Sequence, residues 1–384
     1  MTARAVDHAA GDAFDPLRAL DALLAEAGLS RAGAGASVTF AGEDPILPAV
    51  HRLGACIGVP LMAAAVATAG LHRLRGGPAQ ALHLDLRQAV HAINPGAFWH
   101  PTLNGERAPH PLLLDNPFLV TPYRTADGRW VMASGVLPHL AAAWCRFLDV
   151  PPDPARVAAA VSAWTAQDLE DAANAAGLPC TVVRTPSEWV STEHGALLAG
   201  RPVIGLERVG DAPVVPLAPA ARAFDGVRVL SFTHAVAGPT VGRTLAEHSA
   251  DVLGATRPND YEHEFIYAEA NVGSRSAYVD LDTPRGRERA ARLLAGADVV
   301  VNNHRTGGLE RRGLDPQQLA ERYPGLISVS VTCYGTEGPW AGRGGFDMNG
   351  SAASGLMTVE GSEDAPRLPP TTLVNDYITG FLGA

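Results

Sequence analysis

The sequence predicts an α/β protein that combines a doubly wound parallel sheet with a smaller α+β domain. After residue 224, short buried-strand runs alternate with helical segments across short links, which is the pattern of a parallel sheet. Before residue 212, a hairpin pattern and several helical segments indicate the smaller domain. The 384 residues suffice for two domains, and a content of 47% hydrophobic against 18% charged residues is typical of a globular chain.

The charge balance and the cysteines restrict the class of protein. Lys plus Arg number 30 and Asp plus Glu number 40, and the net charge of −10 argues against nonspecific nucleic-acid binding. Four cysteines without a CxxC pair favour reduced thiols. The first thirty residues lack the apolar core of a signal peptide, and the longest apolar run, 59–71, is too short to span a bilayer. We therefore expect a cytoplasmic protein without a membrane or nucleic-acid partner.

The first 110 residues are predicted to hold two segments. Residues 1–44 are expected to form an N-terminal helix and a linker, with leucines at helical spacing between 17 and 24. Residues 45–110 are expected to hold a long alanine-rich helix over 54–75 and a strand over 81–86. The helix is predicted to end at Gly76-Gly77, after a basic last turn.

Residues 111–211 are predicted to form the small α+β domain. The run 123–131 indicates a β-hairpin with Asp127-Gly128 at its tip. Two helices and a strand are expected to follow, at 137–148, 165–177 and 181–184. An Ala/Pro-rich linker, 212–223, ends this domain.

Residues 224–384 are predicted to hold the parallel sheet in a Rossmann-like arrangement. Strands and helices are expected to alternate in the order 227–232, 239–249, 251–255, 284–295, 298–301, 315–322 and 326–331. The turn before Gly238-Pro239 lies where such folds bind phosphorylated ligands, at a strand's carboxyl end and a helix N-terminus. No G-x-G-x-x-G motif is present, which argues against a dinucleotide, and plain helix initiation explains Gly238-Pro239 equally well.

Arginines near the predicted strand ends favour a phosphate-rich ligand such as coenzyme A. The set is Arg257, Arg275, Arg305, Arg311 and Arg312. Arg257 follows the second strand, where such a fold contacts a ribose or its phosphate, and arginine suits phosphate. Each arginine alone is more simply explained as a solvated surface side chain, so the prediction rests on the set.

Asp376 is the strongest candidate for a catalytic residue. It follows a glycine-rich run, 334–345, and stands at the start of a predicted helix, where an Asp also serves as a plain cap. His234 and His304 suit a general base but equally suit packing at turns. Cys333 is either a reactive thiol or a small buried residue. No His, Cys and Asp residues stand at metal-ligand spacing, so no metal is expected.

The segment 224–384 resembles the first part of the class III CoA-transferases, the family of formyl-CoA and carnitine CoA-transferases. The same fold belongs to alpha-methylacyl-CoA racemase. Many matching stretches occur in the family's order, and together they are more specific than any one motif. Among them are Ala237-Gly238-Pro239, Asn302-Asn303-His304-Arg305, Tyr334-Gly335-Thr336-Glu337-Gly338-Pro339, Gly345-Phe346-Asp347 and Ser354-Gly355-Leu356-Met357, leading to Asp376.

The resemblance implies that Asp376 is the nucleophile of a CoA-transferase. The family's aspartate attacks an acyl-CoA thioester to give a mixed anhydride, then forms an aspartyl-CoA thioester from which an acceptor carboxylate collects the CoA. The resemblance and the strand-end arginines together assign CoA contacts to Val236, Ala237, Arg257, Arg275, Asn303 and Arg311. Backbone N–H groups near Gly355 or Gly380 are candidates for stabilising an oxyanion.

Several positions depart from the family's pattern. The racemase branch has a histidine where this chain has Phe346, which disfavours two-base proton exchange. The glutamine of formyl-CoA transferase is replaced by Val236, which disfavours oxalate as the acceptor. Asn302 and His304 replace the usual glutamate and aromatic residue around Asn303.

The first half of the chain resembles the second half of the same family, so the halves stand in permuted order. The segment 51–89 is similar to the helix and strand that follow the nucleophile, and 122–131 is similar to the start of the family's small domain. Circular permutation and truncation of a longer chain both explain this order, and the stop at Ala384 inside a predicted apolar helix favours truncation. The family's interlocked dimers imply a homodimer.

The sequence therefore predicts transfer of CoA between an acyl-CoA thioester and a carboxylic acid. Two alternatives stay open. One is an acyl-CoA racemase or isomerase, and the other is a CoA-binding, non-catalytic subunit that needs a partner chain.

Overall fold

The computed structural model describes residues 14–93, 102–107, 115–371 and 373–384. Within these residues the chain has mixed α/β structure, with two parallel and two antiparallel sheets. The predicted α/β class is therefore confirmed. Parts of the predicted segments 1–44, 45–110 and 111–211 lie outside the described residues.

The first segment packs helices against a two-stranded parallel sheet. Its strands are β1, Ala36–Ala41, and β2, Gln80–Asp85. Its helices are α1, Pro16–Glu26; α2, Arg31–Ala34; α3, Leu53–Leu74; and α4, Leu86–Ala92. Helices α1 and α3 and strand β2 confirm the predictions, whereas β1, α2 and α4 were not predicted. Apolar residues of α1, β1 and α3 form the core of this segment.

The segment predicted to form the small domain, which we continue to call by that name, is built on a three-stranded antiparallel sheet in the order β5-β6-β7. Its strands are β5, Pro122–Arg124; β6, Trp130–Ala133; and β7, Cys180–Val182, and a short hairpin of β3, Thr102–Leu103, and β4, Glu106–Arg107, precedes them. Its helices are α5, Pro138–Leu148; α6, Pro154–Val161; α7, Ala166–Ala175; α8, Pro186–Ser191; and α9, Glu193–Ala199. The predicted hairpin tip is confirmed at Gly128, whose φ of 78° suits glycine.

A five-stranded, all-parallel sheet organises the second half of the chain, in the order β10-β9-β8-β11-β12. Its strands are β8, Arg228–Phe232; β9, Asp251–Thr256; β10, Arg275–Tyr278; β11, Val299–Asn302; and β12, Ile327–Ser330. Its helices are α10, Ala237–Glu247; α11, Glu264–Ala270; α12, Pro284–Leu294; and α13, Pro316–Arg322. Strand β10 and helix α11 were not predicted.

Strand β8 is the middle strand of the sheet, and its apolar side chains pack on both faces. Leu230 and Phe232 pack in one cluster with Leu294 of α12, while Val229 packs in a second cluster with Leu245 of α10. Alternate residues of a strand point to opposite faces, so a continuous apolar run requires helices on both sides.

Three helices follow the sheet and connect the two halves of the chain. They are α14, Asp347–Ser354; α15, Leu356–Glu360; and α16, Val374–Gly383. Helix α16 packs against α10 of the sheet and against α3 of the first segment. An apolar cluster, which we call the joining cluster, buries Leu53 and Ile57 of α3 together with Val374 and Tyr377 of α16. The two halves therefore share one core around α16.

A buried carboxylate adds a polar connection between the halves. Glu360, at the end of α15, is only 2% exposed. It accepts hydrogen bonds from the backbone N–H of Val50 and from Nδ1 of His51, the latter at 2.8 Å. A buried carboxylate requires such partners, so the segment that leads into α3 is fixed against α15.

Helix α3 has 22 residues, and a mean hydropathy of 1.8 over its most apolar 18-residue window makes it long and apolar enough to cross a membrane by length and composition. The expectation drawn from the run 59–71 is therefore wrong for the helix, because the helix begins earlier, at Leu53, and continues to Leu74. Residues that make up 67% of its most apolar window are buried inside the fold. Its apolar surface is thus used as core, against α1, α4 and α16.

The close packing of α16 on α10 depends on Gly380. A Cβ at Gly380 would lie 2.5 Å from Cβ of Thr240 and 2.9 Å from the carbonyl oxygen of Ala237. We expect Gly380→Ala to lower the free energy of unfolding by about 1–3 kcal/mol, because the two helices must separate. Urea denaturation of the purified protein measures this change.

The matched control is Gly350→Ala in α14, where a Cβ meets nothing within 4 Å. This control is expected to leave stability unchanged or to raise it by up to about 1 kcal/mol, since alanine is the better helix former. Equal stability of Gly380→Ala and the wild-type protein would contradict the proposed close approach.

Candidate active site

A cleft of about 770 Å³ opens at the carboxyl ends of four strands of the parallel sheet. Residues that follow β8, β9, β11 and β12 line it, and residues 137–140 of the small domain line it from another side. The segment 343–347 and the first turns of α16 complete the lining. In open α/β sheets, ligands bind at this edge where the strand order reverses, which here is between β8 and β11.

Two helices begin in the cleft without a side-chain cap. Helix α10 starts after Val236 and helix α5 starts after Leu137, and neither residue provides a side-chain hydrogen bond to the first turn. Both residues line the cleft. Uncapped N–H groups and the positive end of the helix dipole favour negatively charged ligands, so the cleft suits an anion.

Asp376 lies in the first turn of α16 and lines the cleft. Leu373, just before the helix, has a φ of 60°, a left-handed conformation that a leucine adopts only at an energetic cost. Within the described part of the chain, no hydrogen bond reaches the Asp376 carboxyl group. Its oxygens are therefore available to a bound molecule.

Asp347 holds the first turn of α16 in place. Its carboxylate accepts hydrogen bonds from the backbone N–H of Asn375 at 2.6 Å and of Asp376 at 3.1 Å. It also accepts from Nδ2 of Asn375 at 3.3 Å and from the hydroxyl of Ser351 at 3.5 Å. A carboxylate at this position satisfies free N–H groups and interacts favourably with the helix dipole.

The two carboxyl groups affect each other's protonation. Burial raises the pKa of Asp376 well above its usual range, and the nearby Asp347 raises it further. Burial also raises the pKa of Asp347, but the hydrogen bonds from Asp376 and Asn375 oppose this rise. Hydrogen bonds to a charged form favour it, so we assign the negative charge of the pair to Asp347 and the proton to Asp376.

The turn between β8 and α10 is held by two side chains. Asn303 donates to the carbonyl oxygen of His234 at 2.7 Å and accepts from its N–H at 3.0 Å. Ala235 has a φ of 58°, and its N–H donates to the Glu262 carboxylate at 3.2 Å. Burial raises the pKa of Glu262 to about 7. Gly238 is required here beyond helix initiation, because a Cβ would lie 2.7 Å from Cγ of Asn303.

Two predicted CoA contacts at this turn, Val236 and Ala237, line the cleft, as does Asn303. Arg257 also lines it, but its guanidinium is engaged by Asp260 at 2.7 Å and by Asp282 at 3.5 Å. The structure therefore brings these four predicted residues into one cleft with Asp376.

The other two predicted contacts lie elsewhere. Arg275 forms an ion pair with Asp251 and does not line the cleft. Arg311 is exposed in a short 3₁₀ helix, Glu310–Arg312, and does not line the cleft either. Arg305 does line it, and within the described residues its guanidinium forms no ion pair.

His234 and His304 both line the cleft, with ring centroids 5.2 Å apart. Burial lowers the pKa of His234, and burial together with His234 lowers the pKa of His304 to about 3. Both rings are therefore neutral at neutral pH. They add hydrogen-bonding capacity to the cleft without adding charge.

Cys333 is accessible from the cleft rather than buried in the core. The surrounding protein and the nearby Asp376 raise the pKa of its thiol to about 12. Because the thiolate is the reactive form, Cys333 is a weak nucleophile at neutral pH. Its position beside Asp376 makes it a useful reporter of ligand binding.

Asp347, Glu262 and Arg343 also line the cleft, although no local sequence pattern predicts a role for them. Asp347 belongs to a motif of the family, but the helix that it caps, α16, begins 27 residues later in the chain. The predicted oxyanion positions lie elsewhere. Gly380 packs on Thr240, and Gly355, with a φ of 88°, packs on Pro186, so neither glycine lines the cleft. Among the described residues, no group of three or more His, Cys, Asp or Glu side chains is arranged to hold a metal ion.

The fold is that of an α/β protein, and its cleft suits an anionic small molecule beside a pair of carboxyl groups. The chain belongs to CoA-transferase family III, whose model matches residues 24–201 and 224–384. The order of the two halves relative to the family stays a prediction.

Similar proteins carry CoA-transferase names. The chain is 31% identical over 223 residues to the acetyl-coenzyme A transferase nodX of Hypoxylon pulicicidum, covering 53% of this chain and 37% of that protein. It is 33% identical over 176 residues to a succinate–glutarate CoA-transferase of Agrobacterium fabrum, covering 41% of this chain and 44% of that protein. The match to a crystal structure of Rv3272 from Mycobacterium tuberculosis has 32% identity and a TM-score of 0.39, covering 42% of this chain and 48% of that one. The chain spans less than half the length of each of these relatives.

The raised pKa of Asp376 predicts a pH-dependent stability difference. An acid whose folded pKa lies above its unfolded value, about 3.9, destabilises the fold as pH rises through that interval. We therefore expect Asp376→Asn to melt at a higher temperature than the wild type at pH 8, with a difference that disappears toward about pH 4. Exposed Asp364, changed to Asn, is the control and should have little effect at either pH. Identical melting curves for Asp376→Asn and the wild type at all pH values would contradict the buried-acid assignment.

Labelling of Cys333 tests whether the cleft binds CoA thioesters. Maleimide should modify Cys333 slowly at pH 7 and faster as pH rises, because the pKa of its thiol is about 12. Bound acetyl-CoA is expected to slow this reaction at least about tenfold, whereas the exposed Cys56 in α3 should react unchanged. Peptide mapping by mass spectrometry measures the rate of modification at each cysteine. Equal slowing at both cysteines, or at neither, would count against binding in this cleft.

Proposed function

We propose that this protein transfers coenzyme A between an acyl-CoA thioester and a carboxylic acid, with Asp376 as the nucleophile. The proposal is carried by the unequal carboxyl pair in the cleft. Asp347 is satisfied by four hydrogen bonds, while no hydrogen bond from the described residues reaches the Asp376 carboxyl. Membership of CoA-transferase family III supports the reaction class.

The reaction proceeds through three covalent states on Asp376: an anhydride, a CoA thioester and a second anhydride. Its carboxylate attacks the thioester carbonyl, which expels CoA thiolate and forms a mixed anhydride. The thiolate attacks the aspartyl carbonyl, which gives an aspartyl-CoA thioester and releases the donor acid. The acceptor carboxylate attacks this thioester to form a second anhydride, and the returning thiolate takes the acceptor acyl group and frees Asp376.

The environment of Asp376 suits a carboxylate nucleophile. Asp376 must first release the proton assigned to it above to solvent. Its desolvated carboxylate is then more basic than a solvated one, and it therefore attacks a carbonyl more readily. The anhydride must also be kept from water. Residues of the small domain, among them Leu137 and Leu140, contribute to the cleft opposite the sheet and would help to exclude solvent.

The phosphates of CoA would meet the uncapped N-terminus of α10 and the cleft arginines. Val236 and Ala237 form the start of this helix, and Asn303 fixes the turn before it. Arg305 is free to contact a phosphate, whereas Arg257 must first exchange its carboxylate partners for the ligand. Arg275 and Arg311 would contact CoA only if part of the ligand extends beyond the cleft.

We further propose a Rossmann-like arrangement of the parallel sheet, which its strand order supports because the order reverses beside β8. A homodimer and a cytoplasmic location are proposed from the family resemblance and the composition. The racemase alternative is disfavoured because Phe346, which lines the cleft beside Asp347, has no acidic or basic group that could act as the second base.

Trapping of the covalent state tests the proposed function. Incubation with an acyl-CoA followed by hydroxylamine should convert Asp376 to a hydroxamate, identified by peptide mass spectrometry. We expect Asp376→Ala to lose CoA transfer by about 10³-fold or more, as for other nucleophiles. Its affinity for CoA should stay within about tenfold, or about 1.4 kcal/mol, because the phosphates bind elsewhere.

The outcomes separate the alternatives. Transfer that survives in Asp376→Ala would rule out the covalent mechanism. Exchange of the α-proton of the acyl group for deuterium, without CoA transfer, would indicate a racemase instead. Tight CoA binding without adduct or transfer, restored by adding a second protein, would indicate a non-catalytic subunit.

A further inference from the structure

Two acids of one loop occupy the groups of the cleft that would bind an anion. The loop, residues 258–263, lies between β9 and α11, and we call it the acidic loop. Its Asp260 accepts hydrogen bonds from the guanidinium of Arg257, at 2.7 Å from Nη2 and 3.0 Å from Nε. Its Glu262 accepts from the backbone N–H of Ala235 at 3.2 Å. All four residues line the cleft.

The N–H that Glu262 occupies belongs to a turn whose geometry suits anions. Ala235 has a left-handed φ of 58°, and Val236 after it is in the right-handed helical region. Successive N–H groups in such a turn form a concave anion site, and the uncapped start of α10 adds the positive end of its dipole. The carboxylate of Glu262 therefore sits where a phosphate of a bound ligand would be stabilised.

The turn is held mainly by Asn303, so the contact of Glu262 can be exchanged. Asn303 makes two hydrogen bonds to the backbone of His234, at 2.7 and 3.0 Å. Both carboxylate oxygens of Glu262 lie farther from the Ala235 nitrogen, at 3.2 and 3.3 Å. Hydrogen bonds to a charged acceptor are typically shorter, about 2.7–2.9 Å, so this contact is a weak one.

Asp260 is also held loosely. The side chains of Asp260 and Arg257 are 34% and 50% exposed, and solvent screens such a pair. The acidic loop is anchored at its far end instead, where buried His263 hydrogen-bonds through Nε2 to the carbonyl oxygen of Val136 at 2.9 Å. Residues 257–261 are exposed, so both acids can move away from their partners without opening a core.

We infer that Asp260 and Glu262 are internal competitors for the phosphate-binding groups of the cleft, and that CoA displaces them when it binds. This inference rests on the proposed function, because it takes CoA as the ligand. A ligand with one negative group displaces one acid and is repelled by the other, whereas CoA carries several phosphates and replaces both. The two acids therefore select a polyphosphorylated ligand and lower its affinity in return.

Binding of free CoA to neutral variants tests this competition. Calorimetry at pH 8 keeps Glu262 ionised, since the pKa of its carboxyl group is about 7. We expect Glu262→Gln to bind CoA about 10-fold more tightly, because a neutral amide holds the N–H of Ala235 less strongly and does not repel a phosphate. Asp260→Asn should tighten binding less, by up to about fivefold, since its ion pair is exposed.

Glu264→Gln is the matched control, because Glu264 is exposed at the start of α11 and does not line the cleft. It should change the affinity for CoA less than about twofold. Glu262→Asp keeps the charge but draws the carboxylate back by one methylene, so it should still tighten binding, by about threefold. In an Arg257→Met background, Asp260→Asn should have no further effect, since Asp260 acts through that guanidinium.

Two results would overturn the inference. Weaker CoA binding by Glu262→Gln would mean that Glu262 supports the turn in the complex as well. An affinity within about twofold of the wild type in both Glu262→Gln and Asp260→Asn, or an equal gain in the Glu264→Gln control, would leave no specific competition. The binding stoichiometry gives the fraction of folded protein, so partial unfolding of a variant does not alter the measured affinity.

This inference and the proposed function fail differently, because binding of free CoA involves no thioester and no attack by Asp376. Trapping of Asp376 by an acyl-CoA, combined with wild-type CoA affinity in the loop variants, overturns the competition alone. Tighter CoA binding by the loop variants without any trapped adduct supports the competition and overturns the covalent mechanism. If neither the wild type nor the loop variants bind CoA, both proposals are wrong.

Discussion

The carboxylate of Asp347 holds the N-terminus of α16, and the geometry of the cleft depends on that contact. It occupies the N–H groups of the first turn and fixes the orientation from which Asp376 emerges. The same negative charge raises the pKa of Asp376. One side chain therefore positions the candidate nucleophile and adds to the rise in its pKa that burial causes, at the cost of holding two carboxyl groups close together in a partly buried site.

This arrangement needs both halves of the chain. Helix α16 packs on α10 of the parallel sheet through Gly380 and on α3 through the joining cluster. Glu360 connects α15 to the segment before α3, and the small domain lines the cleft opposite the sheet. The two stretches that match the family are thus not independent units here, because the apolar surface of α16 is buried by residues from both.

The charges of the cleft are arranged unevenly. Arg257 is paired with Asp260, Arg343 is paired with Glu170, and the two histidines are uncharged, so among the described arginines of the cleft only Arg305 forms no ion pair. Glu262 occupies the N–H of Ala235 beside the start of α10. A polyanionic ligand would therefore meet a few defined positive groups rather than a uniformly basic surface, which agrees with the net charge of −10.

The sequence by itself determined the alternation of strands and helices after residue 224, because apolar runs such as 227–232 have one consistent period. It also predicted Asp376 and the turn at Val236 as site residues, through local motifs and the family resemblance. Strand β1 was missed although Ser37 and Thr39 alternate with apolar residues at the period of a strand that is buried on one face. Only the tertiary structure decided that Asp347 caps α16 and that Arg257 is already paired with Asp260. These facts depend on contacts between distant segments, and local residue patterns carry no information about which side chains such contacts bring together.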